Sequence, residues 1–242
     1  MRPLERGMRL RKWRLEHRIG RGGEGDVWLA LGPNGRKVAV KIRPHTNDAD
    51  AQQFRKEFER LRTLHLPGVV RVIDTGADQG YIYFVMELAR GVPLDRFIAV
   101  GRNINDRIQR AVTAGAQIAQ ILASMHRLHL AHRDLKPANI AVDGDIATHS
   151  VQVTLLDFGT HRFGSLRDDT GKLHGTPAYM APEQRVGLPH DHRADCYSLG
   201  VMLHEAISGE SATDHTPGRR RPSLTRIDSA VPLAVAHLID GL

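Results

Sequence analysis

The chain has 242 residues, 41% hydrophobic and 25% charged, with 34 Lys and Arg against 27 Asp and Glu for a formal net charge of +7. This apolar content excludes an intrinsically disordered chain, and the single cysteine, Cys196, excludes a disulfide scaffold. The longest apolar runs, such as Tyr81 to Met86, are strand-sized and fall far short of the roughly 18 residues a membrane span needs. Met1 to Arg21 is basic but lacks the continuous apolar run of a secretion signal, so the expected compartment is the cytosol. Six of the basic residues are lysine (12, 37, 41, 56, 136 and 172); the arginines are scattered, densest at Arg219–Arg221. With aromatics at only 5%, no basic stripe interleaved with aromatics forms, and nucleic acid is not an expected partner.

In chain order, Arg14–Ile19 and Asp26–Leu31 read as strands flanking a glycine-rich turn, and Lys37–Ile42 as a third strand after the turn at Gly32–Gly35. From Asp48 to Leu66 the period becomes helical, with Phe54, Phe58 and Leu61 on one face and Pro67-Gly68 as the stop. Val69–Thr75 and Tyr81–Leu88 are predicted strands. Beyond Gly91 helices dominate: Ile104–His129, Cys196–Ser208 and Val231–Leu242. Glu210–Ser223 is polar, basic and contains Pro and Gly, which predicts a loop. Cys196 falls on an apolar helix face and is expected to be buried and inert.

Five motifs carry chemistry. Gly20-Arg21-Gly22-Gly23-Glu24-Gly25 lies between two strands, whereas a dinucleotide fold would follow such a run with a helix. Glycines in such a turn let backbone N–H groups approach phosphate oxygens without interference from Cβ. Lys41 ends the run Val38-Ala39-Val40-Lys41, and strand alternation aims it to the side of Ala39, away from Val38 and Val40. A lysine there either finds a carboxylate, for which Glu57 on the following helix is the natural candidate, or carries its ammonium to the surface along its own stem. The third motif is the most specific: His132-Arg133-Asp134-Leu135-Lys136-Pro137-Ala138-Asn139, followed by Asp157-Phe158-Gly159 and by Gly175-Thr176-Pro177-Ala178-Tyr179-Met180-Ala181-Pro182-Glu183.

Taken together and in this order, these motifs resemble the eukaryotic-type Ser/Thr protein kinase family from about Trp13 to the C-terminus. The Ala181-Pro182-Glu183-Gln184 ending and the string Asp195-Cys196-Tyr197-Ser198-Leu199-Gly200 resemble its bacterial members. The resemblance implies an α+β, two-lobed fold. An antiparallel sheet lobe with one helix would span 13–88, and a larger, mainly helical lobe 89–242. It implies ATP-dependent transfer of the γ-phosphoryl group to Ser or Thr of proteins, with Mg²⁺ (or Mn²⁺), autophosphorylation of the activation segment, and a transient homodimer for that step.

Residue by residue, the resemblance implies that Gly20, Gly22 and Gly25 cover the phosphates and that Lys41, held by Glu57, binds them. Asn139 and Asp157 would hold metal, Asp134 would take or orient the hydroxyl proton, and Lys136 would steady the γ-phosphate, with Thr176 as the Ser/Thr-branch partner of Lys136. Val27, Ala39 and Ala141 would sandwich the adenine, Met86 would gate the pocket, and Glu87 to Ala89 would form the hinge. Val72, Leu61, Phe158 and His132 would stack as a link between lobes. A kinase-fold scaffold without activity and a small-molecule phosphotransferase are the alternatives.

Several features depart from the family. The Asn139–Asp157 interval is long, which predicts an extended hairpin around Asp145–Ser150, and Ala141 replaces a longer aliphatic. The substrate-docking helix after Gly209 looks shortened, and the helical lobe reads as truncated at its C-terminus. That truncation leaves Glu183 either to find another partner, such as one of Arg219–Arg221, or to sit with water.

Overall fold

Alternation along the first third of the chain builds a sheet with two unlike faces. The structure, a computed structural model, describes residues 3–22, 25–45, 52, 62, 65–148, 150–157, 177–212 and 221–242. They divide between two compact units, the first made of 1–65 and 70–89, the second of 66–69 and 90–242.

The first unit is a six-stranded antiparallel sheet in the order β1-β2-β3-β4-β6-β5, comprising β1 (Arg9–Leu10), β2 (Trp13–Gly22), β3 (Gly25–Leu31), β4 (Lys37–Pro44), β5 (Val72–Asp78) and β6 (Tyr81–Glu87). Val38, Val40 and Ile42 of β4 pack with Trp28, Ala30, Tyr83 and Val85 into one core on a single face. Ala39 and Lys41 lie on the other face, as the alternation predicts. The core also takes in Met8, Leu10, Trp13 and Leu15, so the residues ahead of the predicted first strand belong to it.

The turn between β1 and β2 reaches across to β5, at the far end of the strand order. Trp13 Nε1 donates to Asp74 at 3.0 Å, Lys12 Nζ lies 2.9 Å from the same carboxylate, and the Arg11 amide donates to Asp78 at 2.8 Å. Gln79 Nε2 returns a bond to the Arg9 carbonyl. The two edges of the sheet therefore meet through side chains.

Two strands begin or end differently from expectation. β5 starts at Val72, because Val69 instead forms a bridge to Leu155 of the second unit's sheet. Of the helix expected over 48–66, only Gln52 and Arg62 are described before His65, and both are helical; Phe54, Phe58 and Leu61 lie outside the described residues.

Among its described residues the second unit holds a three-stranded sheet, β7 (Val92–Pro93), β8 (Ile140–Asp143) and β9 (Gln152–Leu155), and six α-helices. These are α1 (Leu94–Ala99), α2 (Ile104–His126), α3 (Pro182–Arg185), α4 (Arg193–Ser208), α5 (Leu224–Ile227) and α6 (Leu233–Asp240). Asn103 caps α2 by accepting the Asp106 amide at 3.0 Å, and Asp106 in turn accepts from Arg102 and Arg110. α2 buries Ile108, Ala111, Ala114, Ile118, Ile121, Leu122 and Met125. At Gly115 an added Cβ would meet Leu203 of α4 at 3.0 Å, a measure of how closely the two helices pack.

α4 is buried almost all round, from Ala194 to Ile207. α2 stops at His126, three residues short of the predicted end, because Leu128 and Leu130 both donate to the Met125 carbonyl and His129 turns left-handed at φ 56°. α6 likewise covers less than the predicted Val231–Leu242, starting behind Pro232. The β8–β9 hairpin is long, as expected: Asp143 pairs with Gln152, and Asp145 organises the connection by accepting from the Ala147 and Ser150 amides. The described ends of the predicted 210–223 loop are mostly irregular, with a short turn at Ala212, and 213–220 lie outside the described residues. Among the described residues no helix is long and apolar enough to cross a membrane.

Candidate active site

In the second unit the 132–139 segment leaves α2 and enters β8, and side chains distant in sequence fix its backbone. Asp195, in the first turn of α4, is 1% exposed. Its carboxylate accepts the His132 and Arg133 amides, each at 2.8 Å, and meets His126 Nε2 at 2.9 Å. His132 is fully buried, and its Nε2 donates to the Leu156 carbonyl at 2.8 Å. Arg133 is held at φ 68°, a left-handed conformation that costs on the order of 1–3 kcal/mol in a residue with a side chain and persists only where its surroundings impose it.

Asp134 follows. Its Oδ2 lies 2.6 Å from Lys136 Nζ and accepts Asn139 Nδ2 at 3.0 Å; the same Asn139 nitrogen donates to the Asp134 carbonyl at 2.8 Å. One carboxylate is thus held by an ammonium and an amide from within five residues, in a loop whose own path is set by α4.

Asn139 is 6% exposed, and with its nitrogen engaged by Asp134 its Oδ1 is the atom left to meet another partner. The Leu156 amide donates to the Asn139 carbonyl at 2.8 Å, so the hairpin brings Asp157, the next residue, to the same end of β8 and β9. Asp157 also sits at φ 54°. A carboxylate and an amide oxygen are hard donors, and the pair fits magnesium or manganese in chemistry. Ala141, on β8 opposite Thr154, is 8% exposed.

In the first unit, the register sets the remaining candidates on one face. Gly20 pairs with Val27, Val27 with Lys41, Lys41 with Phe84, and Ala39 with Met86, so all six share the face opposite the apolar core. Lys41 is 8% exposed, which excludes the surface-seeking alternative. Gly22 pairs with Gly25 at the end of the hairpin. Gly25, at φ 131°, is required by the fold itself, since a Cβ there would lie 2.3 Å from the Ile42 carbonyl oxygen. At Gly20 a Cβ would meet only Val27 at an ordinary 3.5 Å, so the sheet does not explain that glycine. The Glu87 amide donates to the Arg71 carbonyl at 3.0 Å and its side chain reaches Arg36 at 3.4 Å; Ala89 ends the unit.

Glu57, Thr176, Phe158 and the candidate hydroxyls Thr160, Ser165 and Thr170 lie outside the described residues. One expectation is corrected. Cys196 is half-buried rather than fully buried; burial, with Asp195 and Asp191 nearby, raises its thiol above the ordinary range. Of the arginines named as partners for Glu183, Arg219 and Arg220 lie outside the described residues. Arg221 sits instead where burial pushes its guanidinium down against the pull of Tyr197 and Glu205. Glu205 accepts the Tyr179 hydroxyl at 2.7 Å. The roles of Asp195, His126 and Gln184 were not read from the sequence, although the strings holding Asp195 and Gln184 had been singled out.

Comparison with known proteins identifies the family. The protein kinase domain matches residues 13–230, and the chain belongs to the protein kinase family, on its serine/threonine side. It is 34% identical over 231 residues to the serine/threonine-protein kinase pkn2 of Myxococcus xanthus, covering 92% of this chain and 27% of that protein. It is 34% identical over 210 residues to the serine/threonine-protein kinase PknA of Mycobacterium tuberculosis, covering 82% of this chain and 47% of that one. The chain thus spans less than half the length of these curated relatives. The PknI kinase domain of Mycobacterium tuberculosis shares the fold, with a TM-score of 0.69 at 23% identity over 98% of this chain and 90% of that one.

Proposed function

We propose that the chain transfers the γ-phosphoryl group of ATP to Ser and Thr hydroxyls of proteins in the cytosol. The observation that carries this reading is Asp134, oriented by Lys136 and Asn139 in a loop pinned by Asp195. Phosphoryl transfer needs positioning and charge neutralisation more than covalent chemistry from the protein. Asp134 would accept or orient the hydroxyl proton, and Lys136, beside it, would follow the γ-phosphate as charge develops. Lys41, with Glu57, would hold the phosphates under Gly20, Gly22 and Gly25. Val27, Ala39, Ala141 and Met86 would shape the adenine site, with Glu87 to Ala89 as its hinge and Thr176 beside the acceptor hydroxyl. A magnesium ion held by Asn139 and Asp157 supplies neutralising charge to the phosphates when bound.

The test is transfer of labelled phosphate from MgATP to a generic protein acceptor, followed by acid hydrolysis to identify phosphoserine and phosphothreonine. Free phosphate alone, or transfer only to small molecules, would overturn it. In the same assay Lys41→Ala should lose roughly a hundredfold in turnover, about 3 kcal/mol of transition-state stabilisation, with the fold retained. A near-normal rate removes Lys41 from this role.

The reading extends to regulation. Thr170 lies between Arg167 and Lys172, where a phosphate of about −1.5 to −2 charge finds cationic partners, and Arg133 offers another. After incubation with MgATP, mass spectrometry should find phosphate on Thr170 first and Ser165 second, at a rate rising with protein concentration if two copies meet. Absence of phosphate from 165–170 rejects this site.

A further inference from the structure

Gln184 is 1% exposed and ties two separate segments of the second unit together. Its Oε1 accepts the Ala181 amide at 3.0 Å, and its Nε2 donates to the Arg133 carbonyl at 3.2 Å. The partners fix the amide's orientation, because an N–H requires the oxygen and a carbonyl requires the nitrogen. The carbonyl it holds belongs to the peptide group that continues into Asp134. The left-handed Arg133 is therefore gripped on both sides, at its N–H by Asp195 from α4 and at its C=O by Gln184 from α3.

The other end of the link is also structured. Ala181 closes the 177–181 segment, whose Ala178 and Met180 carbonyls accept from Arg185 at 3.3 and 3.1 Å, and whose Tyr179 carbonyl accepts Ser198 Oγ at 2.8 Å. α3 thus seats that segment through Arg185 while Gln184 reaches on to the 132–139 loop. We propose that Gln184 is a positioning residue for phosphoryl transfer, coupling the seat of segment 177–181 to the orientation of the Arg133–Asp134 peptide and so of the Asp134 carboxylate. This rests on the kinase reading above.

The test compares Gln184→Glu with Gln184→Met in the full chain, at temperatures where both are folded. Protonated glutamic acid presents an O–H to the Arg133 carbonyl and keeps an acceptor for Ala181; methionine supplies neither. The Met variant should lose about tenfold in kcat at every pH, with KM for ATP within about twofold of the parent. The Glu variant should exceed the Met variant severalfold near pH 6 and lose that advantage as its carboxyl ionises. A role confined to packing gives no such rescue.

A second measurement does not depend on activity. In the ¹⁵N-aspartate-labelled chain, the Asp134 amide resonance, identified by its absence from Asp134→Asn, should move in the Met variant and return towards the parent position in the Glu variant at low pH. Parent-like kcat in both variants, or an unmoved Asp134 amide, overturns the proposal while leaving the kinase reading intact. A moved amide in a chain that phosphorylates no protein overturns the kinase reading and keeps the coupling.

Discussion

Asp134→Asn is expected to lower protein phosphorylation by roughly 10²–10⁴-fold, the range a positioned acid–base group supplies, without unfolding the chain. The substitution keeps the size and shape of a side chain whose Oδ2 meets Lys136 at 2.6 Å and Asn139 at 3.0 Å. What it removes is the negative charge and half of the acceptor capacity, so the variant can no longer take a proton from a hydroxyl. Steady-state transfer to a protein acceptor, measured beside the thermal midpoint, checks both halves of the expectation. A variant that keeps its midpoint and most of its turnover would show that the hydroxyl proton leaves by another route.

The largest effect on stability is expected at Asp195. Its carboxylate is 1% exposed and satisfies two backbone amides and the His126 ring. Asp195→Ala leaves those buried donors without an acceptor, at about 1–3 kcal/mol each, for an expected loss of about 3–5 kcal/mol in all. That is a large part of the roughly 5–15 kcal/mol that holds a typical domain folded. Asp195→Asn, which keeps one acceptor oxygen, should fall between the two. Denaturant unfolding monitored by far-ultraviolet dichroism measures the series. A loss below about 1 kcal/mol in the Ala variant would mean that the turn at 132–133 is held by other contacts.

What could be read from the sequence was what is local or periodic. Alternation assigned Val38 and Val40 to one face and Ala39 and Lys41 to the other, because a strand's period of two leaves no third choice. Asp134, Lys136 and Asn139 were legible because they fall within one eight-residue string, His132 to Asn139, that resembles the family's. Asp195 and Gln184 act on Arg133 from 62 and 51 residues away, and no spacing rule connects such positions before the fold is known. Helix ends were misplaced where the backbone itself decides, as in α2, which stops at His126, three residues before the predicted end at the left-handed His129. Met8 and Leu10 were passed over because a two-residue strand has no period to detect.

That last pair separates two boundaries that are easily taken for one. The stretch shared with the family opens at residue 13, whereas the cooperative unit opens earlier: Met8 is 6% and Leu10 0% exposed, inside the same core as Trp13 and Leu15. Trimming the protein to the shared stretch would strip apolar cover from Trp13 and Leu15. It would also take the Arg11 amide from Asp78 and the Lys12 ammonium from Asp74, leaving Trp13 Nε1 as the one link from that turn to the strand. Shared sequence therefore marks where the family's pattern opens, and burial marks where the core of the first unit opens.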